Sequence, residues 1–241
     1  MKRLFDIIAS FCGLVVFSPI LIIFMFLVWK GDKKTPFYMA PRAGKDGTTF
    51  KMAKLRSMSV DADKSGVNST GNNDMRITPI GRKIRRYKLD ELIQLWNVLI
   101  GDMSLIGPRP NVKTETDLYT NVEKELLSVR PGITDFSSIV FSDEGEILEG
   151  KDNPDLAYNQ LIRPWKSRLG LVYIENQSIF LDIQIIFYTV VAIISKPKAL
   201  IWVAKKLDNL NVDTDTVRAS KREVNLYPFP PPGSNEIVSS R

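Results

Sequence analysis

The chain of 241 residues carries 33 Lys and Arg against 27 Asp and Glu, a net charge of +6, and is 44% apolar and 10% aromatic. Such a composition supports a buried core and one domain with appendages, and its positive balance favours anionic partners such as phosphates, acidic lipids or nucleic acid. With no histidine and a single cysteine, a Ser-His-Asp or Cys-His triad, a histidine zinc site and a multi-cysteine metal site are excluded, so acid-base and metal chemistry falls to carboxylates, Lys, Arg or Tyr.

In chain order, the first element is an uncharged apolar stretch between Asp6 and Lys30. At about 1.5 Å per helical residue it is long enough for a hydrocarbon layer of roughly 30 Å. It lacks the small-residue cleavage site of a secretory signal. Lys2 and Arg3 flank one end and Lys30, Lys33 and Lys34 the other, so the positive-inside rule is satisfied when both ends face the cytoplasm. Ser18-Pro19 sits near the middle; the proline kinks a helix there, and the Ser18 hydroxyl can satisfy the freed carbonyl. Residues alone leave open a re-entrant helix-hairpin or a plain transmembrane helix with a tolerated proline.

Residues 36–58 alternate polar and apolar around Gly44 and Asp46-Gly47 and predict a hairpin whose second strand carries Lys51, Lys54 and Arg56. Residues 59–76 are turn-rich and read as a mobile loop in which Asn68-Ser69-Thr70 matches a glycosylation acceptor by chance. Over 80–101, Leu89, Leu92, Ile93 and Trp96 recur at helical spacing, predicting a helix that begins near Lys88 to Asp90 and stops at Gly101. Pro108 and Pro110 stiffen an extended segment presenting Arg109. Residues 113–129 predict helix, and Pro131-Gly132 turns the chain into a strand or extended loop over 133–141. Residues 183–195 are apolar but short, and 199–206 place Trp202 beside two lysines; these fit helices lying in a membrane interface, or a buried core helix. From about 209 the chain turns polar and then Pro-rich, predicting a disordered tail.

The chemistry concentrates at Asp90 and Glu91, at or near a helix start where free backbone donors stabilise anions. Acids are common there for that reason alone. Arg82, Lys83, Arg85, Arg86 and Lys88 precede the pair and Arg109 follows, a cationic crowd suited to a pyrophosphate. Adjacent helical carboxylates point about 100° apart, which suits a nucleophile beside a metal ligand better than two groups serving one atom.

The blocks KRLFDII with Ser18-Pro19, FKMAKLRSM at 50–58, RRYKLDELIQLWNVLIGDMSLIGPRP at 85–110, VRPGIT at 129–134 and YIENQSIFLDI at 173–183 run in order. They resemble the monotopic phosphoglycosyl transferases, the bacterial sugar transferases that start assembly of surface glycans. The resemblance implies that Asp90 attacks the β-phosphate of a UDP-sugar, releases UMP and carries a covalent phosphosugar that polyprenyl (undecaprenyl) phosphate then accepts. It implies Glu91 as the ligand of a magnesium ion, Lys54, Arg85 and Arg109 as phosphate-binding residues, and Ser18-Pro19 as the break of a re-entrant helix. Where many members continue Gly-Trp-Ala-Gln after VRPGIT, this chain has Asp135-Phe136-Ser137-Ser138, and Gly170 stands where many carry Asp. These changes resemble another branch with Arg163-Pro164-Trp165-Lys166 in its pattern, so no sugar contact is assigned.

The expected fold class is α+β, mainly α. It comprises a re-entrant membrane helix at 1–30, a cytoplasmic catalytic domain at 31–207 with interfacial helices near 180–206, and a disordered tail at 208–241. The resemblance implies the bacterial inner membrane, a lipid bilayer, a UDP-sugar and polyprenyl phosphate as partners, with a homodimer a further expectation. The alternative is a catalytically silent membrane scaffold whose basic patches hold acidic lipid. No nucleic-acid module is recognisable.

Overall fold

The structure, a computed structural model, describes residues 1–62 and 74–240. Most of the loop predicted over 59–76, with its acceptor-like Asn68, lies outside the described residues.

The uncharged run folds as α1, Lys2–Asp32, with Pro19 inside it. The prediction of a hairpin of two helices is not reproduced at the level of secondary structure, because the helix stays continuous. Pro19 cannot donate to the Val15 carbonyl, and the Ser18 hydroxyl donates to it instead at 2.7 Å. Leu4, Ile8, Phe11, Val15, Val16, Ile22, Ile23 and Phe26 are exposed, the reverse of a core helix in a soluble protein. Both ends are fastened to the same body. At one end Lys2 meets Asp182 at 2.7 Å, Arg3 donates to the Leu99 carbonyl at 2.9 Å, and the buried Asp6 accepts from Ser104 Oγ at 2.9 Å and from the Leu105 N–H at 3.1 Å. At the other, Asp32 accepts from both terminal guanidinium nitrogens of Arg56 at 2.6 and 2.7 Å, while Val28 packs with Leu55, Ile84 and Leu89.

The predicted hairpin forms as β1, Phe37–Ala43, and β2, Thr49–Leu55, antiparallel with Phe37 opposite Leu55. Its turn uses Asp46 and Gly47 in left-handed conformations. α2, Pro79–Arg86, starts under a Thr78 cap that accepts from the Gly81 N–H at 3.0 Å. Lys88 then turns left-handed (φ 55°) and directs the chain into α3, Leu89–Leu92, and α4, Gln94–Ile100, which Gly101 (φ 103°) terminates. β3, Ser104–Ile106, runs parallel to β4, Gly132–Thr134. The two extended segments approach so closely that a Cβ on Gly132 would lie 2.1 Å from the Gly107 nitrogen. Only glycine fits there.

The stretch 113–129, predicted as one helix, breaks into α5, Lys113–Thr116, and a 3-10 turn at Glu123–Leu127. Between them Thr120 and Glu123 bond each other's backbone N–H groups at 3.0 Å, a local alternative to the helical ladder. The segment predicted as extended over 133–141 becomes α6, Phe136–Val140, because the Asp135 side chain caps it through the Ser138 N–H at 2.7 Å. There follow α7, Glu144–Leu148; α8, Pro154–Leu161; α9, Arg163–Glu175; α10, Ile179–Ile194; α11, Lys196–Asn209; and α12, Thr214–Lys221. Phe136, Trp165, Leu169, Tyr173, Ile185, Val203 and Leu207 form the main core. α10 and α11 keep Phe180, Ile183, Phe187, Val190, Ile193, Ile194 and Ile201 exposed, so neither is the fully buried core helix that composition left open.

The C-terminal segment departs from the disordered tail that its composition predicts. α12 buries Val217 and Ala219 in the main core. Beyond it Phe229 stacks on Trp165 with ring centroids 4.3 Å apart, Tyr227 meets Trp165 edge-on, and the Arg168 guanidinium covers Phe229 at 4.7 Å. Carbonyls of Pro230, Pro232 and Val238 accept from Arg168, Thr120 and Gln160. The physical reason is that prolines have little backbone freedom to lose, so a few aromatic contacts suffice to order the strap.

Candidate active site

The functional groups arrive on four supports: the end of α2, the α3 start, strand β2, and the proline-flanked segment after β3. A cleft of about 990 Å³ is lined by Asp90, Lys54, Arg85 and Arg109, together with Arg42 and, from the helical layer, Glu144, Tyr158 and Lys166. Four of the sequence-predicted residues therefore share one cavity. The fifth, Glu91, forms a short ion pair with Arg109, both partners about a quarter exposed. Arg109 is fixed from behind, since its other terminal nitrogen donates to the Ile133 carbonyl at 3.0 Å. That carbonyl belongs to β4, which the Gly107–Gly132 approach brings within reach. Arg85 donates to Ser57 Oγ at 3.2 Å. Ser18 and Pro19 belong to α1 and do not line the cleft.

Burial pushes the Asp90 carboxyl above the ordinary aspartate value, with Lys54 opposing and Glu91 reinforcing the shift. Glu91 experiences the same burial, but Arg109, Lys88 and Lys54 outweigh it and its carboxyl lies below the ordinary value. The two adjacent acids are thus driven apart by their surroundings, the pattern of paired groups with unequal roles. Burial, helped by the Arg109 charge, lowers the Lys54 ammonium; the Glu91 charge raises Arg109.

Several lining groups escaped the sequence reading. Arg42 sits on β1, Tyr158 and Lys166 on α8 and α9, and Glu144 on α7. Lys166 pairs with Glu144 and stands 5.4 Å over the Tyr158 ring. The buried Glu123–Arg163 pair, with Ser167 and Asn159, braces this wall. Only Lys166 carried a signal, in the Arg-Pro-Trp-Lys block. The others needed tertiary packing to reach the cleft.

The half-buried Asp90 carboxylate thus shares a cleft with Lys54, Arg85 and Arg109, a cationic setting suited to anionic ligands. Comparison with known proteins gives the family: residues 1–196 match the bacterial sugar transferases, and the chain belongs to that family. The UDP-glucose:undecaprenyl-phosphate glucose-1-phosphate transferase of Klebsiella pneumoniae is 36% identical over 193 residues, covering 78% of this chain and 39% of that protein. The exopolysaccharide production protein ExoY of Rhizobium meliloti (strain 1021) is 32% identical over 207 residues, covering 80% of this chain and 84% of that protein. A putative undecaprenyl-phosphate N-acetylgalactosaminyl 1-phosphate transferase of Bacillus subtilis (strain 168) is 44% identical over 121 residues, half of this chain and 68% of that protein. The chain thus spans about two fifths of the Klebsiella relative and most of ExoY.

Proposed function

We propose that the chain transfers a sugar 1-phosphate from a UDP-sugar to undecaprenyl phosphate, the reaction that the names of the Klebsiella and Bacillus relatives describe. The observation that carries this reading is Asp90 in one cleft with Lys54, Arg85 and Arg109. The Asp90 carboxylate attacks the β-phosphorus. A carboxylate–phosphorus bond forms, the bond to the α-phosphate oxygen breaks, and UMP leaves with the electron pair. An oxygen of undecaprenyl phosphate then attacks the same phosphorus, the bond to Asp90 breaks, and the carboxylate is regenerated. The cations lower the repulsion between a carboxylate and a pyrophosphate and stabilise charge on the leaving oxygen.

Magnesium is part of this proposal, since it is usually held by one or two carboxylates together with substrate phosphates. Glu91, ionised below the ordinary range, would hold it, and the bound ion would neutralise phosphate charge. The fastening of both ends of α1 to one body supports a re-entrant helix, since the same domain cannot hold residue 6 and residue 32 on opposite faces of a bilayer. The exposed apolar faces of α10 and α11 then lie in the interface of the inner membrane, on the cytoplasmic side.

The test mixes purified protein, magnesium, undecaprenyl phosphate and a panel of UDP-sugars. UMP release and a phosphosugar adduct on Asp90, absent in Asp90→Asn, are expected. Release of UDP refutes phosphosugar transfer, and full activity in Asp90→Asn refutes the nucleophile. Labelling that finds residue 2 and the cleft on opposite membrane faces refutes the re-entrant topology.

A further inference from the structure

Two complementary side chains stand one helical turn apart, and among the described residues neither is hydrogen-bonded to another side chain. Gln94 on α4 has no exposed surface, and neither its Oε1 nor its Nε2 is hydrogen-bonded among the described residues. Asp90 on α3 lines the cleft, and among the described residues no side chain donates to its carboxylate. Ile93 keeps helical dihedrals between α3 and α4 (φ −68°, ψ −15°), so positions 90 and 94 are neighbours on one face.

That face lies on β2. Asn97, three positions further, accepts from the Ala53 N–H at 2.8 Å and donates to the Lys51 carbonyl at 2.9 Å, while Lys54 is the strongest attractive charge on Asp90. Helical side chains lean toward the N-terminus, so a side chain at position 94 can reach the turn that carries Asp90. Gln and Asp at this spacing form hydrogen bonds. An unpaired buried amide is costly, whereas an apolar residue of the same shape would be nearly neutral. The amide therefore has its use in a state where it is bonded.

We propose that Gln94 is the positioning residue of the nucleophile. It rests on the transfer reaction proposed above. When the donor pyrophosphate engages Lys54, the carboxylate loses the attraction that held it, and the Gln94 Nε2–H donates to one Asp90 oxygen. The other oxygen is then directed at phosphorus. After transfer, the same N–H donates to the carbonyl oxygen of the aspartyl phosphosugar.

The experiment compares wild type with Gln94→Leu and Gln94→Met, which keep the volume and remove the amide. Both are expected to unfold at or above the wild-type temperature and to keep the UDP-sugar KM within about twofold. The kcat and the single-turnover rate of adduct formation are expected to fall about 10- to 100-fold, the loss of one charge-assisted hydrogen bond. Wild-type adduct formation in both variants overturns the proposal, as does a loss confined to KM. A lowered Tm in both with an unchanged rate per folded molecule also overturns it, by assigning Gln94 to structure. Release of UDP by wild type refutes the transfer reading itself and is seen before any variant is compared.

Discussion

Phe229→Ala tests whether the proline-rich strap is part of the fold. The ring is half-buried, stacks on Trp165 at 4.3 Å and lies under the Arg168 guanidinium at 4.7 Å. Truncating a fully buried Phe costs about 3–5 kcal/mol, and a half-buried one roughly half of that. The stacked pair and the cation add about 0.5–1 kcal/mol each. The sum is about 3 kcal/mol, which in a chain of this size lowers Tm by roughly 6–12 °C. Thermal unfolding of the detergent-solubilised protein, followed by tryptophan fluorescence, reads the change directly. A Tm within 2 °C of wild type would show that the strap contributes nothing and that composition was the better guide. The α8–α9 wall beneath the strap carries Tyr158 and Lys166 into the cleft, so the variant should also lose transferase activity below its melting temperature.

Two further outcomes follow from the cleft. Arg109→Lys keeps the charge but cannot bond Glu91 and the Ile133 carbonyl together; kcat/KM should fall about 10- to 100-fold in steady-state UMP release, and an unchanged value would show that the fork geometry is idle. Asp90→Asn should raise Tm at neutral pH but not at acid pH. Because burial raises the folded-state value of Asp90, its charged form opposes folding above that value, and protonation relieves the opposition as pH falls through it. Glu91 has the opposite sign: its depressed value contributes stability above the ordinary glutamate range, lost as pH falls through the folded value. Melting curves of wild type and Asp90→Asn from neutral to acid pH test the Asp90 sign, and a pH-independent difference between them refutes the assignment.

What was legible in the sequence was local. The Asp46-Gly47 turn, the Gly101 stop and the Ser18 bond to the carbonyl that Pro19 frees each depend on a few adjacent residues, and each is found. Arg85, Asp90, Glu91 and Arg109 lie on the block 85–110 and Lys54 on the block 50–58, and it is the resemblance of those blocks to a known family, beyond any local spacing, that gathers the five. The Asp135 cap was equally local and was passed over, because the Pro-Gly before it suggested extension. Arg42, Glu144 and Tyr158 carried no local mark, since only the packing of α7–α9 across from β2 brings them to the cleft. The strap failed for a different reason. Composition measures what a segment can bury by itself, and Phe229 stacks half-buried on a tryptophan more than sixty residues away, with the exposed Tyr227 meeting the same ring edge-on.

The fastenings of α1 suggest why its two ends are held so firmly. Asp6 grips the start of β3, and the chain from β3 runs directly into Pro108 and Arg109. Arg56, which holds Asp32, and Leu55, which packs on Val28, adjoin Lys54 on β2. Each end of the apolar helix is therefore tied to a segment that delivers one of the cleft's cations. The buried Asp6 is matched by donors on both of its oxygens, so shifting this end would strand a carboxylate in an apolar setting, at a cost larger than any surface ion pair returns. If α1 rests in the bilayer as proposed, its depth sets the height of Lys54 and Arg109 above the lipid surface. A lipid phosphate arriving in the membrane plane would then meet cations already held at a fixed level, without a separate docking motion.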